Sequence, residues 1–438
     1  MQTVDQLLCP KWIITCDDPN QVLLDHALVI HEGKILDILP SNTAPEIYQT
    51  TQTHYFPDHA ILPGFVNAHT HIAMNIFRGL ADDLELMDWL NQHIWPAEEK
   101  WVSPEFVYDG SLMAMAEMIR GGTTTFNDMY FFLEDTAQAA IKAGIRAGIG
   151  LTVINVPTQW AKTSNAYFEK GLAFYQAFRT HDRIIPTLAP HSTYAVDTRD
   201  LEKIKILSEE LQLKINIHLQ EAPGEIAMAM EQHGKRPLQR LNELGLVNND
   251  LIAIHMTQIN EADYDLLQEK KPNIVHCPES NMKTVSGTCP VETLLSMGVN
   301  VALGTDGAAS NNDLDMIGEM RTAALVGKLV AQNPRAVSAE KALKMATING
   351  ARALGIDEIT GSLKPGKMAD CIAINLAEIE TQPLYDPVSQ IVYAASRQTV
   401  TDVWVAGQQL MKSRQLLTID LAEVLEKAKF WQHKLKNE

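Results

Sequence analysis

The sequence predicts an α/β protein, a (β/α)8 TIM-like barrel with a small β-sandwich domain formed from both termini. Three observations support this prediction. Apolar strands alternate with helical segments through the middle of the chain, both ends are rich in hairpin patterns, and potential metal ligands follow several of the strands. The length of 438 residues exceeds that of one small domain and suffices for a barrel with an additional domain.

The barrel prediction depends on eight apolar strands separated by helical segments. An apolar stripe over residues 201–211, behind a cap at Asp197 or Thr198, is typical of these helices. The connection after His71 is much longer than the others, and long loops on the catalytic face usually bind something. The predicted strands span residues 61–66, 123–127, 146–153, 184–189, 214–219, 251–255, 273–277 and 299–304.

The small domain is predicted from hairpin patterns at both ends of the chain. Apolar strands flank Glu32-Gly33 near the start and Ala406-Gly407 near the end. We therefore expect residues 1–58 and 364–438 to form one composite β domain, and residues 59–363 to form the barrel.

Composition excludes several classes of function. The formal net charge of −18 repels phosphate backbones, so nucleic acid is not expected as a partner. The first residues lack a secretion signal, and no apolar run approaches the ~18 residues of a membrane-spanning helix. The five cysteines form no CxxC pair, which argues against a disulfide framework. We expect a cytoplasmic protein with a small-molecule partner and no membrane contact.

Four side chains at predicted strand ends could bind one metal ion. His69 and His71 lie two residues apart, so on a strand both imidazoles point the same way. His218 ends the fifth strand and Asp306 follows the eighth, and zinc accepts such nitrogen and oxygen ligands. Taken singly, these residues could be a packed histidine pair, a hydrogen-bonded core histidine and an Asx turn. Their common position at strand ends favours a metal site.

Two further residues are candidates for proton transfer. Glu221 follows His218 by three residues and could move protons between water and a substrate nitrogen. Its alternative role is that of a surface acid in a loop. His255 ends the sixth strand, where it could be a ligand, a hydrogen-bonding partner of the attacking oxygen or a structural histidine.

The chain resembles the amidohydrolase superfamily, and within it the 5′-methylthioadenosine/S-adenosylhomocysteine deaminases. The resemblance covers nearly the whole length. It is carried by the motifs at residues 63–71 (PGFVNAHTH), 78–83 (RGLADD), 121–125 (GGTTT), 190–192 (PHS), 218–221 (HLQE), 276–281 (HCPESN) and 304–307 (GTDG).

The resemblance implies hydrolytic deamination of an adenine nucleoside to the inosine analogue and ammonia, at one divalent ion, usually zinc. It implies metal ligation by His69, His71, His218 and Asp306. Glu98 would bind the ribose hydroxyls, and His191, Glu221 and Asp306 would contact the substrate. In the catalytic roles, Asp306 would accept a proton from water, Glu221 would protonate the ring, and His255 would hold the incoming oxygen. Relatives with two metal ions use a lysine on the fourth strand, which is absent here.

Several alternatives stay open. The same scaffold also hosts deaminases and chlorohydrolases that act on a free base or a triazine, such as guanine, cytosine or an s-triazine. A non-catalytic barrel used for binding or assembly is a second alternative, but such relatives normally lose ligands. Some family members contact the substrate with an arginine after the third strand, whereas residues 155–162 contain none. Trp160 could stack on the adenine there, or it could be a core residue, and a homo-oligomer is also left open.

Overall fold

Residues 1–84 and 86–437 are described by a computed structural model of the chain. Glu85 and Glu438, which belong to the predicted domain ranges, lie outside the described residues. Within the described part, the strands form an eight-stranded sheet, a nine-stranded sheet and a small two-stranded sheet.

The eight-stranded sheet is the predicted barrel. In the described part of the chain each of its strands pairs in parallel with the next one, without a change of order. This arrangement places all carboxyl ends at one rim, where barrels carry their functional side chains. The barrel strands are Phe65–Thr70, Thr123–Asp128, Arg146–Val153, Ile184–Pro190, Ile215–Leu219, Leu251–His255, Asn273–His276 and Val301–Leu303.

A side chain joins the first barrel strand to the eighth. The Asn67 amide nitrogen donates to the Thr305 hydroxyl (2.7 Å), and the Asn67 amide oxygen accepts from the Thr305 backbone nitrogen (3.0 Å). The backbone nitrogen of Asp306 donates to the His69 carbonyl at 3.1 Å. These bonds bring two candidate ligands together at the seam of the barrel.

The first barrel strand begins four residues later than predicted. The apolar residues at 60–63 end a longer strand, Thr53–Pro63, which pairs in the nine-stranded sheet. The chain passes between the two sheets at Gly64, where a Cβ atom would lie 2.1 Å from the Thr124 side chain. One apolar run thus serves two sheets, and the run alone does not reveal where it divides.

Both ends of the chain build the nine-stranded sheet, which confirms the predicted fold. The hairpins at Glu32-Gly33 and Ala406-Gly407 both form, and all four turn residues have positive φ, between 48° and 76°. Type I′ turns require this geometry. The predicted domain limits stay a prediction, although Thr53–Pro63 crosses the one at residue 59. The other strands of this sheet are Gln6–Ile14, Val22–Leu24, His26–His31, Lys34–Pro40, Cys371–Asn375, Val400–Val405, Gln408–Lys412 and Gln415–Leu416, and the two-stranded sheet is Gln2–Thr3 with Tyr48–Gln49.

Helices separate the barrel strands as expected. Asp197 caps one of them by accepting from the Asp200 backbone nitrogen at 2.9 Å, and Gly144 ends another with φ of 80°. No helix among the described residues has the length and apolar character needed to cross a membrane. The α-helices outside the 71–122 connection are Ala44–Ile47, Leu133–Ala143, Ser164–Phe178, Thr198–Leu211, Pro223–His233, Pro237–Glu243, Glu261–Lys270, Pro278–Lys283, Val291–Ser296, Met316–Val330, Ala339–Met345, Ile348–Leu354, Pro387–Tyr393 and Leu421–Asn437.

The long connection after His71 is largely helical. It contains a 3-10 helix, Ile72–Phe77, three α-helices and one turn of π-helix, Leu90–Ile94. Trp89 and Ile94 join a buried apolar cluster that also contains Trp431 of the C-terminal helix. We refer to residues 88–102 as the outer segment. The three α-helices are Leu86–Trp89, Trp95–Trp101 and Pro104–Arg120.

Candidate metal centre and active-site cavity

The four predicted ligands meet at the carboxyl rim of the barrel. His69 lies in the first strand and His71 directly after it, while His218 lies in the fifth strand and Asp306 just beyond the eighth. Their candidate ligand atoms all lie within 4.8 Å of one another. Asp306 Oδ1 is 3.3 Å from His69 Nε2 and 3.4 Å from His71 Nε2.

Backbone carbonyls orient two of the imidazoles. His71 Nδ1 lies 2.6 Å from the Met129 carbonyl, and His218 Nδ1 lies 2.6 Å from the His191 carbonyl. A carbonyl only accepts, so each Nδ1 carries the proton and each Nε2 presents a lone pair. The two Nε2 atoms are 3.2 Å apart and face the same space.

The donor set fits a divalent cation. Both ring nitrogens of His69 are buried and make no hydrogen bond. Burial lowers the pKa of His69 to about 4, and burial with the neighbouring histidines holds the pKa of His218 well below its usual range. Metal ligation requires neutral imidazole, and the three lone pairs and one carboxylate match the ligand types that zinc accepts.

The Asp306 carboxylate is held rigidly. Its Oδ2 accepts hydrogen bonds from Ser280 Oγ (2.7 Å) and Ser310 Oγ (2.9 Å), and its Oδ1 accepts from the Gly307 backbone nitrogen (2.8 Å). Burial disfavours the charge, but His69 and His71 hold the pKa of Asp306 well below its usual range. The group is therefore ionised and able to act as a ligand or to accept a proton.

Glu221 and His255 lie beside these ligands. Glu221 Oε1 is 3.7 Å from His255 Nε2, and the imidazole of His255 is 5.5 Å, centre to centre, from that of His218. His255 Nδ1 donates to Asn281 Oδ1 at 2.8 Å, which leaves Nε2 as an acceptor. Burial raises the pKa of Glu221, which favours the protonated form needed by a general acid.

Glu98 and His191 face the same cavity from other elements. Glu98 lies on the helix Trp95–Trp101 and accepts a hydrogen bond from the Tyr130 hydroxyl at 2.7 Å. Burial raises the pKa of Glu98 to about 7. The imidazole of His191 lies 4.8 Å from that of His218, and burial, with His71 and His69, lowers the pKa of His191 to about 3.

One cavity of about 630 Å³ joins these groups. All the predicted site residues line it except His69, which lies beneath its surface. Trp160 does not line the cavity: it is buried against Phe131 and Tyr167, so it is a core residue and stacking on a ligand is ruled out in this arrangement. The tryptophans that do line the cavity are Trp89 and Trp95 of the outer segment.

Several supporting residues were missed by sequence reasoning. The buried Asp128 carboxylate accepts from the Ile72 backbone nitrogen (2.8 Å) and so orders the chain after His71. Glu225 accepts from the Glu221 backbone nitrogen (2.8 Å) and from the Thr193 hydroxyl (3.0 Å), which links two strand-end loops. Asp128 ends a barrel strand, and this position could have indicated from the sequence that it supports the site. No feature of the sequence indicates the same for Glu225.

Comparisons with known proteins show the family of this chain. The chain matches the amidohydrolase family over residues 60–410. It is 44% identical over 433 residues to a protein of Teredinibacter turnerae named 5-methylthioadenosine/S-adenosylhomocysteine deaminase, with 99% of this chain and 98% of the relative covered. A crystal structure of an adenosine deaminase from Xanthomonas campestris with bound zinc is similar with a TM-score of 0.98, at 43% identity and 100% coverage of both chains. An atrazine chlorohydrolase of Arthrobacter aurescens shares the fold (TM-score 0.91) at 20% identity, with 97% of this chain and 99% of the other covered.

Proposed function

Since this chain belongs to the amidohydrolase family, and within it to the 5-methylthioadenosine/S-adenosylhomocysteine deaminases, we propose that it deaminates an adenine nucleoside hydrolytically. The products would be the inosine analogue and ammonia. The observation that supports this most strongly is the convergence of His69, His71, His218 and Asp306 on one space within reach of Glu221.

Zinc is the ion we propose for this centre, because the ligands are three imidazoles and one carboxylate and the zinc-bound Xanthomonas campestris structure is so similar. A divalent ion bound there would supply Lewis-acid activation of the attacking water. The fourth barrel strand, Ile184–Pro190, contains no lysine, which supports a centre with one ion.

The protein's own groups divide the proton transfers. Asp306 accepts the proton that water loses as its oxygen bonds to C6 of the adenine ring. Glu221 gives a proton to ring N1, so that C6 becomes tetrahedral without a full negative charge on the ring. The acceptor nitrogen of His255 holds the incoming oxygen. Asp306 then passes its proton to the amino group, which leaves as ammonia when the C6–N bond breaks, and the hydroxyl on C6 returns a proton to Glu221 as it becomes the carbonyl.

The rest of the nucleoside is held further out in the cavity. Glu98 can accept hydrogen bonds from two vicinal ribose hydroxyls, because a carboxylate offers two oxygens. Its fixed partner, the Tyr130 hydroxyl, occupies only part of this capacity. His191 lies close enough to His218 to contact the base at the metal centre.

A screen of adenine nucleosides tests the function directly. The zinc-loaded protein should convert at least one of them, seen as the ultraviolet change from adenine to hypoxanthine and as equimolar ammonia release. Protein stripped with a chelator is the control and should recover activity when zinc is restored. A zinc-loaded protein that releases no ammonia from any adenine nucleoside would overturn the proposal.

The variant Glu98→Ala separates a nucleoside deaminase from one that acts on a free base or triazine. A riboside would lose the partner of its hydroxyls, so KM should rise by ~10- to 100-fold while kcat changes little. A free base has no ribose, and its KM should not change. Unaltered KM for every nucleoside would remove Glu98 from the binding site.

We further propose a cytoplasmic location, since the five cysteines, all within the described residues, are unpaired and thiols persist in reducing compartments. The acidic surface supports a protein that does not bind nucleic acid. Assembly into a homo-oligomer stays a prediction, which light scattering after gel filtration would measure.

A further inference from the structure

The outer end of the cavity has an apolar wall. Trp89, Leu90 and Trp95 of the outer segment form one side, and Val156 and Pro157 of the loop after the third barrel strand contribute another part of the lining. Val156 is 50% exposed and Trp95 is 39% exposed. Large apolar side chains exposed to a ligand cavity are suited to contact with an apolar group.

Two polar side chains beside this wall, those of Thr158 and Gln159, already have hydrogen-bond partners. The Gln159 amide nitrogen donates to the Glu99 carbonyl at 2.8 Å. The Thr158 hydroxyl donates to the Ala161 carbonyl at 3.5 Å and accepts from the Tyr167 hydroxyl at 2.7 Å. The charged groups that line this end are the carboxylates of Glu98 and Glu99, which only accept when ionised.

The lining residues that the structure describes include no cationic side chain at this wall. Among the described residues that line the cavity, none is a lysine or an arginine. On the flanking segments, Lys170 donates to the Trp160 carbonyl at 2.5 Å, and the ammonium of Lys100 lies 4.6 Å from the centre of the Trp101 ring. Arg240 donates to the Thr193 carbonyl at 2.6 Å.

We propose that this subsite takes a small uncharged 5′ substituent and discriminates against an amino-acid tail, so that the chain prefers 5′-methylthioadenosine to S-adenosylhomocysteine. The inference rests on the proposed function, because it assumes that adenine lies at the metal centre and the ribose at Glu98. The substituent on the ribose 5′ carbon then extends to the apolar wall.

Physical chemistry gives the direction of the preference. A methylthio group suits the wall, since sulfur packs well against aromatic rings such as Trp89 and Trp95. The carboxylate of an amino-acid tail would lose water without gaining a cationic partner from the described lining, and burying a charge without such a partner is unfavourable. Its ammonium could pair with Glu99, but Glu99 is exposed, and exposed ion pairs contribute little.

The test compares three nucleosides on the zinc-loaded wild-type protein: 5′-methylthioadenosine, 5′-butylthioadenosine and S-adenosylhomocysteine. The butyl compound matches the length of the homocysteine tail without its charges. We expect kcat/KM for S-adenosylhomocysteine to be ~10- to 100-fold below that of the butyl compound, the range for a missing hydrogen bond to a charged group. Equal values of kcat/KM for these two would overturn the proposal, whether both match the value for the methyl compound or both fall below it.

A gain of charge at Val156 locates the subsite. Val156→Arg should raise the ratio of kcat/KM for S-adenosylhomocysteine over the butyl compound by ~10-fold or more, because the guanidinium can pair with the tail carboxylate. Val156→Gln, which is polar but shorter and uncharged, should not raise it. If the arginine variant behaves like the glutamine variant, the tail does not lie at this wall and the assignment is wrong.

Lys162 provides a second control, because it is exposed on the same loop but does not line the cavity. Lys162→Ala should leave the ratio unchanged, and a drop in activity towards S-adenosylhomocysteine alone would show that a cation does serve the tail. Failure of the proposed function looks different: none of the three nucleosides would release ammonia. Similar turnover of all three would overturn the preference and leave the function intact.

Discussion

The two ends of the active-site cavity are built differently. At the metal end, His69, His71, His218 and Asp306 come from strand ends of the barrel and lie within 4.8 Å of one another. Hydrogen bonds fix the orientation of two of these imidazoles and of the aspartate. At the outer end, an α- and π-helical segment and one loop present apolar side chains, and some of these are exposed.

This difference separates chemistry from substrate choice. A metal centre needs ligands at fixed distances, and side chains on paired strands supply such precision. A pocket for a variable substituent needs shape and polarity, which a connecting segment can change without disturbing the barrel. We therefore expect changes at the metal end to abolish the reaction and changes at the outer end to alter which nucleoside is used.

The largest effect should follow loss of a ligand. In His69→Ala, zinc content should drop far below one ion per chain and kcat/KM should fall by more than ~100-fold, since even the loss of a ligand's hydrogen-bonding partner costs 10- to 100-fold in some metal sites. Elemental analysis of the purified protein measures the first quantity, and ammonia release the second.

Trp95→Ala is the matched change at the outer end. It removes an exposed apolar side chain from the cavity wall and should leave the zinc content at the wild-type level. Full zinc occupancy in His69→Ala, or loss of zinc in Trp95→Ala, would contradict the division between the two ends.

Glu221→Gln should lower turnover without loss of zinc. Glutamine keeps the size of the side chain but cannot give a proton to the ring, so kcat should fall by ~10²-fold or more while zinc stays bound. Single-turnover kinetics with the preferred nucleoside would measure the chemical step. Glu231→Gln, an exposed change on the helix Pro223–His233, is the control and should keep wild-type rates. Unchanged turnover in Glu221→Gln would exclude Glu221 as the proton donor.

The smallest effect concerns stability and pH at Glu98. Burial raises its pKa from 4.5 to about 7 in the folded protein, so ionisation of this group destabilises the fold as pH rises across that interval. Glu98→Gln cannot ionise. We compare the melting temperature of the metal-free variant with that of the metal-free wild type. The difference in favour of the variant should be ~1–2 °C larger at pH 8 than at pH 5.

Scanning calorimetry of both proteins at the two pH values measures this difference. Glu99→Gln is the neighbouring control, because Glu99 is exposed and its substitution should leave the difference between pH 5 and pH 8 unchanged. An equal gain at pH 5 and pH 8 would contradict the prediction, because it would mean that Glu98 ionises without cost in the folded chain.

Much of the fold could be predicted because strands and turns have local signatures. Seven of the eight predicted barrel strands coincide with observed ones to within a few residues, and both predicted hairpins form within the described chain. The exception is the first strand, where one apolar run divides at Gly64 between two sheets. A strand buried on both faces is apolar throughout in either sheet, so the periodicity of the sequence does not show where the run divides.

Some residues of the candidate site could likewise be predicted from the sequence, and others could not. Strand-end positions alone suggested that His69, His71, His218 and Asp306 lie together, and the structure places them so. Glu98 came from a resemblance, because its helix gives no local sign that it faces a cavity. Glu225 and the serines that hold Asp306 were not predicted, since a hydrogen bond between loops depends on distances that no spacing in the chain encodes.

The sequence by itself determined the strands, the hairpin turns and the ligand types, because alternation, turn residues and side-chain chemistry are local properties. Only the tertiary structure decided which carboxylates are buried, which tryptophans face the cavity and that its outer wall carries no cation among the described lining residues. Burial and the pKa of a group depend on neighbours that are distant in the chain, and these meet only when the barrel closes.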